Sequence, residues 1–179
     1  MHPTRTLWSS PSSLLLALLC SATVGAFDLP SDSISLDLPT GWEAETSKPP
    51  VLLMCHTPAE SASVAASAYK NLAITRQDMR PDLKTLYLKD PRFFLQVTLL
   101  QTFTTLSINQ IVDRSIGGYK GVLIFGTLKE AQAAVSNMQF YFLVGNRLYT
   151  IVYSCQTQNW DKSWPTFEKS LSSLRKLKK

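Results

Sequence analysis

Residues 135–144 (VSNMQFYFLV) and 148–155 (LYTIVYSC) are alternating apolar runs, and Gly145-Asn146 lies between them. Glycine first in a two-residue loop is the order of a type II′ hairpin turn. Successive strand residues point to opposite faces, so Tyr149, Ile151, Tyr153 and Cys155 share one face. Directly afterwards Trp160, Trp164, Phe167, Leu171 and Leu174 recur at i, i+4, i+7, i+11 and i+14, a single helical stripe. Beside a sheet such a stripe reads as core; the sharper alternative is an aromatic ligand platform. The pattern predicts an α+β fold, an antiparallel sheet covered by a terminal helix.

Working outward, the N-terminus has the three parts of a secretory signal peptide. Arg5 supplies the positive region and residues 14–19 (LLLALL) the apolar region. Small residues ending in Val24-Gly25-Ala26 predict cleavage after Ala26, so that 1–26 is removed. A spanning helix needs about 20 apolar residues, far more than this run. Cys20 would suit a lipid anchor only if a small residue preceded it, and Leu19 does. The expected location is the periplasm or the secreted fraction. Residues 27–174 are then one domain by length, large enough to bury a core without metal or dense disulfides.

The chain has 179 residues and a formal charge of +5. Arg5 leaves with the leader, and Arg175, Lys176, Lys178 and Lys179 crowd the last five positions. The body is then balanced, with 13 basic against 13 acidic side chains. A nucleic-acid binder would show a basic stripe with interleaved aromatics, and none is present. The basic tail, 175–179, reads as a solvated helix end whose cations suit the helix dipole. Weak contact with an anionic membrane surface is its sharper alternative.

Residues 34–38 (ISLDL) alternate and stop at Pro39-Thr40-Gly41-Trp42, a strand and turn. Residues 43–50 are polar and read as a surface connection. Residues 51–55 (VLLMC) are a buried strand, and 64–69 are read as a further one. From Asp78 to Phe103 the pattern is helical in two pieces, with Pro81 and Pro91 in first turns and Asp90 as an N-cap. The second piece is apolar on more than one face, which usually means burial on two sides. The alternative is an exposed face that binds a partner or lipid. Residues 111–115 and 119–128 look like strands turned by Gly117-Gly118.

Most catalytic chemistry lacks its residues. After the leader only His56 remains to supply an imidazole, whereas zinc sites of secreted enzymes generally use two or three. His56 adjoins Cys55, but strand neighbours diverge and cannot share an ion. No nucleophile elbow, Walker loop or dinucleotide fingerprint occurs, and the carboxylates are scattered singly. No motif asks for a cofactor. Cysteine arithmetic leaves Cys55 and Cys155, an even count in an oxidising compartment. A bridge between them would close a loop of about 100 residues, worth about 4.7 kcal/mol by chain entropy. The alternative is two buried thiols too far apart to meet.

The run 34–42, ending in Leu38-Pro39-Thr40-Gly41-Trp42, resembles the opening strand and Leu-Pro-x-Gly-Trp turn of Mog1/PsbP-like proteins. So do the hairpin through Gly145-Asn146 and the closing helix with Trp160, Phe167 and Ser170-Leu171. That group includes the bacterial DcrB-like envelope proteins. The resemblance implies an α/β/α sandwich around an antiparallel sheet and a non-catalytic binding module. It transfers no functional residue.

The expected function is an exported accessory protein of the cell envelope, not an enzyme, that acts through protein contacts. Two alternatives remain: an immunity or inhibitor protein against a secreted toxin or hydrolase, and a small-ligand or lipid carrier. A carrier would need a cavity between sheet and helix. The candidate partner surface is Phe93, Phe94, Val97 and Leu100, with a second candidate in the loop from Arg114 to Lys120.

Overall fold

The computed structural model describes residues 25–57, 71–129 and 134–177. Among these, ten strands form two antiparallel sheets, with three α-helices. The chain opens with β1 (Ala26–Leu29), β2 (Ile34–Asp37), β3 (Glu43–Thr46), β4 (Val51–His56) and β5 (Asn71–Asp78). Helices α1 (Pro81–Lys89) and α2 (Pro91–Thr102) follow, then β6 (Leu106–Ile116), β7 (Tyr119–Lys129), β8 (Ala134–Val144) and β9 (Arg147–Gln156). Helix α3 (Trp160–Ser172) and a two-residue β10 (Arg175–Lys176) close it.

The larger sheet runs β3-β4-β5-β9-β8-β7-β6, with the β8–β9 hairpin near its centre. Val144 pairs with Arg147 across the turn, and of the two loop residues only Gly145 takes a positive φ (62°), as a type II′ turn requires. Tyr149, Ile151, Tyr153 and Cys155 are all buried on one face. Phe167, Leu171 and Leu174 of the terminal stripe are buried against that face. Phe167 lies 4.7 Å, ring to ring, from Tyr153, and its burial contributes about 1.5–3 kcal/mol. Trp160 and Trp164 are only half-buried; they stack on each other and rest on Phe125.

The small sheet, β1-β2-β10, lies on the same side, with Ile34 and Leu36 in that core. The α1–α2 pair covers part of the other face, where Tyr87, Leu95 and Leu99 pack on Val122, Ile124 and Tyr141. The main sheet is thus a layer between two cores, the α+β sandwich that the sequence implies.

Several expectations change. Residues 43–46 are a strand, not a loop: β3 is an edge strand that buries little, so its polar sequence hides it. Strand β5 was not expected. Its Leu72 and Ile74 alternate into the core, and Asp78 is its last residue, not the start of a helix. The strand expected at 64–69, like the leader 1–24, falls outside the described residues. Ser35 is buried as completely as Ile34 and Leu36, so β2 is covered on both of its faces. Residues 175 and 176 of the basic tail are strand and not helix: β10 pairs Arg175 with Ser35 and Lys176 with Ile34.

The Cys55–Cys155 bridge is not formed; both thiols are buried and unjoined. Cys55 pairs with Leu72, which pairs with Tyr153, so β5 stands between the two cysteine-bearing strands. Two strand spacings come to about 9.5 Å, beyond the ~7 Å limit for Cα atoms of a disulfide. Burial also pushes the Cys55 thiol up to about 12, far from the reactive thiolate.

Candidate binding surface

Helix α2 begins where Asp90 accepts a hydrogen bond from the Phe93 amide at 3.0 Å, with Pro91 in the first turn. Leu95 and Leu99 turn inward and are buried. Phe93, Val97 and Leu100, at i, i+4 and i+7, form a stripe on the opposite side. They are 65%, 37% and 45% exposed. Two-sided burial, the usual fate of such a helix, is therefore not what occurs here. Phe94 does not belong to the stripe: it points back and meets Tyr87 edge-on at 5.8 Å.

The stripe has almost no charge around it, since Arg92 is the one charged residue of α2. Thr98 and Thr102 spend their hydroxyls on the carbonyls of Phe94 and Thr98, each at 2.8 Å. Leu86, Leu88 and Phe103 add further exposed apolar area on and beside the helix pair. Sequence reasoning missed these three. The outward positions of α1, set against buried Tyr87, were the available signal.

The second candidate, Arg114 to Lys120, spans the β6–β7 hairpin and its Gly117-Gly118 turn, in which both glycines take positive φ. A Cβ on Gly117 would meet the Leu174 carbonyl oxygen at 1.8 Å, so the turn abuts the end of α3. Beside it opens a groove of about 820 Å³. Tyr87, Val122 and Leu143 are among its apolar lining residues, with exposed Leu88 also there. Arg114, Lys120 and Lys176 stand around it on β6, β7 and β10. Lys176 Nζ lies 5.3 Å over the Tyr119 ring. The carboxylate lining the groove, Asp113, is bound by Arg92. Burial first, and the Asp113 charge second, push Tyr87 up to about 12.

Elsewhere, His56 Nδ1 is 3.9 Å from the Glu43 carboxylate across the β3–β4 ladder. Among the described residues no group of three His, Cys, Asp or Glu side chains could hold a metal ion. On the sheet face toward α3, the rings of Phe140, Phe142 and Tyr149 stack in succession at 5.4 and 5.5 Å. Nearer the β6 edge, a cleft of about 340 Å³ opens between Val112, Leu123 and Phe125 of the sheet and Trp164 and Leu171 at the helix.

No protein-family model and no curated protein sequence matches the chain. Solved structures do. The cyanobacterial PsbP protein (CyanoP) of Synechocystis superposes with a TM-score of 0.64, covering 87% of this chain and 93% of its own at 14% identity. The fold is PsbP-like. LpqN of Mycobacterium tuberculosis, described as involved in cell envelope biogenesis, matches at TM-score 0.52 and 12% identity over 81% of this chain and 83% of its own. A Pseudomonas aeruginosa protein of unknown function matches equally well, at 0.52 and 12% over 86% and 97%. At such identities the PsbP-like likeness speaks for the backbone and leaves the α2 stripe and the groove to be read from this chain alone.

Proposed function

We propose that this is an exported, non-catalytic accessory protein of the cell envelope, with residues 1–26 removed, that holds a protein partner against the outer face of α2. The observation that carries the reading is the exposed stripe of Phe93, Val97 and Leu100 on a helix whose polar positions after Arg92 are all uncharged. Contiguous exposed apolar area is uncommon on monomeric proteins and marks contact surfaces. An uncharged surround favours a protein groove, because helices that lie on lipid carry Lys and Arg on their polar face. The envelope setting draws on the leader-like N-terminus and on the LpqN likeness.

The test places a photo-crosslinking residue at Gln96, beside the stripe, and at Lys162 on α3 as a control. In the producing cells the Gln96 position should yield one discrete adduct that Lys162 does not, and Leu100→Asp should abolish it. Equal adducts at both positions, or none at Gln96, would overturn the reading.

A further inference from the structure

We propose that the free edge of β6 takes up an extended peptide as an added antiparallel strand, one of whose apolar side chains enters the cleft beside α3. This site lies apart from the α2 stripe and does not depend on it. Strand β6 ends the seven-stranded sheet, and among the described residues no strand pairs with its outer side. The two-residue loop makes Ile116 and Tyr119 a hydrogen-bonded pair. Bonded pairs alternate along an antiparallel ladder, so Arg114 and Val112 also bond to β7. Ile111, Asp113 and Ser115 therefore direct their N–H and C=O groups away from the sheet, as an added strand requires. The other edge offers little: β3 has 4 residues, and glutamates at both Glu43 and Glu45 guard it. On β6 a register shift between Ile108 and Gln110 closes off the early part and leaves 110–116.

The side chains complete the site. Val112 and Arg114 pair with Leu123 and Gly121, which puts both on the α3 face. There the cleft of about 340 Å³ lies between Val112 and half-buried Trp164. That volume is at the low end of the range for ligand sites, about 300–1,000 Å³, and suits a side chain better than a whole ligand. In an added antiparallel strand, the residue opposite Val112 points to the same face and reaches the cleft. The residue opposite Arg114 stands beside an exposed guanidinium that makes no ion pair among the described residues. An acid there gains a cross-strand pair of opposite charge. Glu168 lines the cleft from α3 and disfavours an acid in the cleft itself. The peptide therefore reads, from its N-terminus, as an acid, any residue, then a large aliphatic one.

The probe is the end-capped peptide Thr-Glu-Lys-Leu-Val-Thr, whose leucine falls opposite Val112 when its glutamate falls opposite Arg114. It is added to the isotopically labelled protein and followed by amide chemical shifts, amide exchange and calorimetry. Saturable one-site binding is expected, with shifts concentrated at Ile111, Asp113, Ser115 and the Trp164 indole. Exchange at the amides of Ile111, Asp113 and Ser115 should slow by about tenfold or more when the peptide is bound. N-methylation of the peptide's lysine and valine, which removes the donors facing β6, should weaken binding at least about tenfold, and so should serine in place of its leucine. Arg114→Glu should weaken this peptide by about tenfold and favour one with lysine in place of the glutamate. Arg114 is exposed, so the variant should retain the amide spectrum of the fold. The proposal is overturned if no saturable binding occurs, if the N-methylated or serine peptide binds as tightly, if the charge exchange restores nothing, or if the shifts fall on 93–100. Protection of the same amides that rises with protein concentration, without peptide, would also overturn it and assign the edge to a second copy of the chain. Failure of the Gln96 adduct would leave this result untouched, and the reverse also holds.

Discussion

Asp32 shows how one residue closes the N-terminal part of the fold. It ends a single 3-10 turn between β1 and β2, its side chain only 4% exposed, held by Arg147 and by Arg76 at 3.5 Å. Arg147 also approaches Asp78 at 3.4 Å, so the contact ties the small sheet's turn to the ends of β5 and β9. Burial alone would raise the Asp32 pKa. The Tyr149 and Arg147 partners, with Ser31, outweigh it and hold the carboxyl below its ordinary value. A carboxyl lowered by folding binds fewer protons in the native state, so its stabilisation is complete above the ordinary value of 3.8 and is lost as the pH falls through the folded pKa. Asp32→Asn should therefore lower stability by about 1.5–3 kcal/mol at neutral pH, the scale of a hydrogen bond to a charged group. Urea melts of both proteins at successive pH values should show the difference shrinking below about pH 3.8. A difference that stays constant with pH would mean that the charge is not what stabilises the turn.

At the scale of the element, α2 has two opposed apolar faces with different work to do. Leu95 and Leu99 attach it to the sheet, and Phe93, Val97 and Leu100 face solvent. Leu95→Ala should cost about 2–5 kcal/mol in a denaturant melt, the usual penalty for truncating a core leucine. Val97→Asp should change stability by less than about 0.5 kcal/mol and still remove the Gln96 adduct. If the two substitutions destabilise alike, the outer stripe is structural and the proposed surface fails. The sequence showed apolar residues on more than one face of this helix. Which face meets the sheet depended on where α1 placed Tyr87, and no local pattern carries that.

At the scale of the molecule, the first and last strands among the described residues belong to one sheet. β10 is the third strand of the small sheet: the Leu177 amide donates to the Ser33 carbonyl at 2.8 Å, and Arg175 pairs with Asp37 at 2.8 Å. A sequence window over 175–179 shows four cations in five residues, so the tail looks like an appendage; its partner, β2, is about 140 residues away. Ending the chain at Leu174 should remove about 1–3 kcal/mol, since each lost hydrogen bond is worth roughly 1 kcal/mol. It should also speed amide exchange at Ile34 and Ser35. Unchanged melting and exchange would show the tail to be dispensable.

The local signals were strong where one face of an element is apolar and the other is not. The β8–β9 hairpin, its glycine-first turn and the inward part of the α3 stripe were legible on that ground. Elements that bury little, such as β3, were not, and β5 lay in a stretch for which the sequence analysis named no element. The candidate surface was legible in part: Phe93, Val97 and Leu100 were named from composition, while Phe94 needed its angle relative to Tyr87. The sequence by itself determined the class of fold, because alternation and helical spacing are properties of neighbouring residues. Only the tertiary structure decided that the two cysteines stay apart and that residues 175 and 176 form a strand on β2. Those are distances between segments far apart in the chain, set by strand order.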